Sequence, residues 1–253
     1  MAAALVVAAL AAGCAGGTSA EVSGAGGSAE TAVSSPVQAS TEASEELVTL
    51  SEGESLDGPG SFRFDLGASH QGDYPALVAE MPAGWVAGDG WLVGVDAQDI
   101  PPVAVQFWNV DQLYAHPCQW VGTEFQPGRG VEDLANALVE VPMRNATTPI
   151  DVQVGGFPGL YLEWTVPSDL EFNDETLFTQ CDGDPEGFHD FRSWTGLRPS
   201  VRYHQGPGQV DHLWILDIDG ERLVIDAFSM PSATAEDLAA MRGVVESIRF
   251  EVP

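Results

Sequence analysis

Residues 211–228 read DHLWILDIDGERLVIDAF, and the fold turns on how this stretch is read. Two apolar runs, 212–218 and 223–228, flank Asp219-Gly220. An Asp-Gly pair between strand-like runs is a strong hairpin signal, because a type I′ turn needs two residues tolerant of positive φ. In the first run Leu213, Ile215 and Asp217 point one way, and Trp214, Leu216 and Ile218 the other. Apolar residues on both faces predict central strands of a sheet that is covered on both sides, at least in part.

On the C-terminal side, Thr234 with Asp237 three residues on is a capping signal. Leu238, Met241, Val245 and Ile248 follow on one helix face, able to lie back over the sheet. On the N-terminal side, residues 150–154 and 160–166 form a second hairpin candidate around Gly155-Gly156-Phe157-Pro158-Gly159. Residues 130–141 carry Val131, Leu134, Leu138 and Val141 at helical spacing, with Glu132 and Asp133 in the first turn where the dipole favours acids. Residues 76–81, 90–95 and 103–110 read as strands, the first closed by a turn at Pro82-Ala83-Gly84-Trp85. Residues 167–209 are acidic and poor in periodicity, which for that length implies a functional loop or a disulfide-pinned excursion. The pattern is that of an α+β protein: an antiparallel sheet with a central hairpin at 211–228 and two packing helices, about 130–141 and 235–248. One globular domain is expected over residues 61–253, its ordered part beginning near Ser61 or Tyr74.

The chain has 38 acidic residues against nine basic ones, all Arg, for a formal charge of −29. That charge argues against nucleic-acid backbones and anionic lipid head groups as partners. Solubility accounts for it; a steering field for a cationic ligand is the functional alternative. No apolar run reaches 18 residues, so no helix is expected to span a bilayer.

Residues 1–12 are apolar (MAAALVVAALAA) and lead into Gly13-Cys14. The run suits a signal h-region and is too short to cross a membrane. Ala11-Ala12-Gly13-Cys14 resembles a bacterial lipobox, in which small residues fit the signal peptidase and the Cys thiol receives a diacylglycerol. An ordinary signal peptide with a coincidental Cys is the alternative, and the protein would then be secreted. Residues 15–60 are mostly Ala, Gly, Ser, Thr and Glu, with few large apolar residues, eight acids and no base. Such a segment cannot bury enough apolar surface to offset chain entropy, and it reads as a disordered tether.

The opening ALVAEMPAGW (76–85) and the closing VVESIRF (244–250), behind the hairpin LWILDIDGERLVIDAF, resemble the PsbP-like fold. They resemble in particular the LpqN-type lipoproteins of actinobacteria, over about residues 74–250. The resemblance implies an α/β sandwich around an antiparallel sheet, with Pro82–Trp85 as a structural turn. It also implies a non-catalytic envelope protein that binds or scaffolds other components.

Cys118 and Cys181 are the cysteines left after Cys14, and in an exported domain they most simply form a disulfide. There is no Cys-x-x-Cys pair to favour redox or metal chemistry. Asp182-Gly-Asp184-Pro-Glu186-Gly187, with Asp190 at the ninth position, matches part of an EF-hand loop. Ser193 stands at the twelfth position, where a bidentate Glu is needed, so a weak calcium site competes with a plain solvated loop. No other cofactor is implied. The histidines show no His-x-x-x-His spacing, though His204 and His212 could meet in space. No Gly-x-Ser-x-Gly elbow, phosphate loop or dinucleotide fingerprint is present. Of the seven Trp, Trp85, Trp91, Trp164 and Trp214 fall in or beside strands and read as core. Trp120 and Trp194 lie near the cysteines and are the candidates for stacking on a ligand.

These readings combine into a lipid-anchored extracytoplasmic binding or scaffold protein, monomeric and without chemistry of its own. Its partner would be an envelope protein or a small ligand, and its membrane contact the lipid on Cys14. A secreted hydrolase with a carboxylate-rich cleft is the competing class.

Overall fold

The Asp-Gly hairpin is the spine of the molecule. In the computed structural model, which describes residues 48–49, 58–66, 74–88, 92–95, 100–197 and 200–251, Val210–Ile218 (β15) pairs antiparallel with Glu221–Ser229 (β16). Leu216 stands opposite Leu223, and Asp219 and Gly220 both have positive φ, 54° and 95°. The Asp217 carboxylate accepts the Gly220 N–H at 2.7 Å, so the turn is closed by a side chain as well as by its backbone.

Around this pair runs a seven-stranded, wholly antiparallel sheet. On the β16 side it continues through Val103–Trp108 (β6), Leu92–Val95 (β5) and Trp85–Gly88 (β4). On the β15 side lie Phe157–Thr165 (β10) and Ile150–Val154 (β9). The second hairpin is tighter than its sequence predicts. Gly155 and Gly156, at φ 58° and 93°, make the whole turn, and Phe157 already pairs with Val154.

Both faces of the sheet are covered, as the apolar alternation requires. On one face Leu216, Ile218, Leu223, Ile225, Val105 and Phe107 pack under a second sheet and a helix. That sheet is Val48–Thr49 (β1), Gly60–Phe64 (β2), Leu77–Met81 (β3) and Arg249–Phe250 (β17). The helix is Ala235–Glu246 (α2), which inserts Met241, Val244 and Val245. Thr234 and Asp237 form the expected reciprocal capping box at its start. The other face carries Leu213, Ile215, Val224, Leu162 and Trp164 beneath Val131–Glu140 (α1), whose Leu134, Ala135 and Leu138 are buried.

The chain changes sheet at Asn109, so the single strand expected over 103–110 is two. Val110–Tyr114 (β7) leaves the central ladder and pairs with Arg192–Gly196 (β13) and Glu124–Phe125 (β8). Val201–Tyr203 (β14) completes this third sheet. The excursion 167–209 is therefore largely structured, with Phe172–Asn173 (β11) and Leu177–Phe178 (β12) as a small hairpin. Cys118 and Cys181 are disulfide-bonded, their Cα atoms 4.4 Å apart, in a small core with Val166, Phe178 and Phe191.

Two residues of the stretch read as a tether, Val48 and Thr49, pair in parallel with Phe62 and Arg63. The described residues all belong to one compact unit, Glu45–Pro253. The stretch read as a signal peptide, Cys14 and most of the 15–60 segment lie outside the described residues, as do Gly90 and Trp91. No helix among the described residues is long and apolar enough to cross a membrane.

Candidate functional site

The third sheet brings the excursion down onto the central one, and charged side chains meet at the junction. Asp211 and Asp226 sit on neighbouring strands, β15 and β16, both pointing to the α1 face and both fully buried. β14 contributes Arg202, the segment just after it His204 and Gln209, β13 Ser193, and the loop after α1 Arg144. Arg202 bridges the two acids, Nε to Asp226 Oδ2 at 2.5 Å and Nη2 to Asp211 Oδ1 at 3.0 Å. Arg144 lies 3.6 Å from the other oxygen of Asp211. Its guanidinium is held between the rings of Trp164 and Phe191, at 4.4 and 4.5 Å. Two cations thus face two anions in a buried site, which is the condition for burying any of them.

Burial dominates the electrostatics. It pushes Arg144 down to about 9, with Arg202 adding to the effect and the two acids opposing it. Burial also raises Asp226 to about 6, despite Arg202. For Arg202 the cost of burial is outweighed by Asp226 and Asp211, which hold it above its usual value. His204 is driven well below the usual histidine range by burial first, then by Arg144 and Arg202. It is a neutral imidazole in the folded protein.

Within this cluster lies a Ser–His–Asp arrangement. Ser193 Oγ is 2.5 Å from His204 Nε2, and His204 Nδ1 is 3.2 Å from Asp211 Oδ2. Its chemistry is blocked by Arg144, whose Nη2 lies 2.6 Å from the same Nε2 and donates to Ser193 Oγ at 2.7 Å. A guanidinium has only donors, so Nε2 accepts from it, while Nδ1 faces both Asp211 Oδ2 and the Gln209 amide nitrogen, the latter at 3.0 Å. A nitrogen whose lone pair is already engaged cannot take the serine proton. Ser193 and His204 are each 1% exposed, so no substrate atom reaches them. The cluster is a structural polar core.

An open concavity lies elsewhere, at the hairpin tip. A cleft of about 370 Å³ is bounded by Gly220 and Glu221, by Asn109 and Asp111, and by Gln126 and Arg129 ahead of α1. Arg222 fixes its walls, donating to the carbonyls of Gly128 (2.8 Å), Gly130 (3.1 Å) and Val110 (2.8 Å).

The residues singled out from sequence are distributed differently from that expectation. Trp194 is fully buried, between Trp108 and Trp164, and has no face for a ligand. Trp120 is also buried: its indole N–H donates to Asp190 O at 3.0 Å and the Arg192 guanidinium lies 3.5 Å over its ring. Both are corrected from ligand-stacking to packing residues, because the excursion folds over them as a sheet. Three of the four acids of the calcium-loop candidate are used locally. Asp182 accepts the Val121 N–H, Asp184 those of Glu186 and Phe188, and Asp190 pairs with Arg192 at 2.8 Å. Glu186 does not join them around a common centre, and among the described residues no group of three or more His, Cys, Asp or Glu is placed to hold a metal. His204 and His212 do not meet. His212 lies on the opposite sheet face with Tyr161 and Glu163.

Sequence reasoning missed Arg144, Ser193, Arg202, Asp211 and Asp226. The available signal was the pair of acids set inward in apolar strands, since a buried carboxylate demands a cation and this chain has only nine.

No family model matches the chain, and no curated protein matches it at a significant level.

Proposed function

We propose that the protein is a lipid-anchored, extracytoplasmic binding or scaffold protein of the bacterial cell envelope, with no chemistry of its own. The observation that carries the non-catalytic part is Arg144, seated on both Ser193 and His204 where a catalyst would need them free. The compartment is supported by the Cys118–Cys181 disulfide, which belongs to an oxidising environment. The lipid anchor rests on Cys14 and its small-residue approach. A central antiparallel sheet covered on both faces fits the resemblance to the PsbP-like fold and LpqN-type lipoproteins. The −29 charge supports a partner other than nucleic acid or an anionic lipid surface, and the domain is read as a monomer.

The test is a serine-directed fluorophosphonate on the folded protein. Ser193 is expected to stay unmodified; an adduct on Ser193 overturns the reading. The competing hydrolase has one observation in its favour, since Asp111 and Glu221 line the same open cleft. Glycosidase or esterase turnover that disappears in Asp111→Asn or Glu221→Gln would establish it instead.

A further inference from the structure

We draw no further inference here: the strongest candidate, the cleft of about 370 Å³ at the hairpin tip, sets Asp111 and Glu221 against Arg129 and Arg222 in its lining, and nothing in the structure shows which class of ligand would fill it.

Discussion

Arg144 Nη2 lies 2.6 Å from His204 Nε2, and that contact makes a Ser–His–Asp arrangement into part of the core. Arg144 is fully buried between two aromatic rings and shares Asp211 with Arg202. Replacing it with Met keeps the stem and removes the charge, leaving the two buried acids to a single cation. Breaking a buried ion pair in this way costs about 3–5 kcal/mol. Ser193→Ala removes one hydroxyl and should cost about 1 kcal/mol. Urea denaturation distinguishes the two; equal and small losses would mean that the cluster is hydrated and not a dry core.

His204 sets a pH dependence whose sign is fixed by its burial. Its folded-state pKa is depressed, so below about 6.5 the unfolded chain takes up a proton that the folded chain refuses. Stability therefore falls as pH drops through that value, by up to about 1.4 kcal/mol per pH unit. His212, lowered chiefly by burial, acts in the same direction. Asp226, raised to about 6, acts in the opposite one, because its folded form holds a proton that the unfolded chain has already lost. Between pH 7 and 5 the parent should lose stability, and His204→Gln should show a shallower slope. An unchanged slope in that variant would show that His204 protonates in place.

The disulfide joins the loop after β7 to the excursion across 63 residues. The chain-entropy model assigns such a closure about 4 kcal/mol. Cys118 and Cys181 should resist alkylation until reduced, and reduction should lower the melting temperature by several degrees. Thiols that titrate in protein purified without reductant would contradict this.

The anchor is tested by fractionation. Cys14→Ala should move the protein from the membrane fraction to the soluble one. A variant as membrane-bound as its parent removes the lipid from the functional reading.

The central hairpin, the second hairpin, both helices and the disulfide were legible because each is written locally, in a turn dipeptide, an apolar period, a capping pair or a cysteine count. The third sheet was not. Arg192–Gly196 and Val201–Tyr203 are short strands that pair with each other and join the sheet only through the distant β7, and only Asn109 separates β6 from β7, with no Gly or Pro to mark the change of sheet. The polar core was hidden for the same reason, since Asp211 meets Arg144 and Arg202 only after that sheet docks. Trp120 and Trp194 were read as ligand-stacking candidates because no apolar period marks the segments that hold them, and they are buried because the long-range pairing of β13 with β7 folds those segments together.

Gly220 allows backbone strain to be measured apart from packing. It sits at φ 95°, and a Cβ built there meets nothing within 4 Å, so a side chain would be opposed by the left-handed backbone alone. A β-branched residue in that region is a true outlier, and the strain costs on the order of 1–3 kcal/mol. For a domain of this size about 1 kcal/mol moves the melting temperature by roughly 2–4 °C, so Gly220→Val should lower it by several degrees. Gly159 gives the contrasting case. Its backbone needs no positive φ, but a Cβ there would collide with the Ile215 carbonyl oxygen on the paired strand, so Gly159→Ala forces β10 and β15 apart. That change should cost at least as much as Gly220→Val although alanine is the smaller residue. Removing residues 15–44, which precede the Glu45–Pro253 unit, should leave the melting temperature unchanged. A harmless Gly220→Val together with a damaging deletion would place the stabilising core outside the hairpin on which this fold assignment rests.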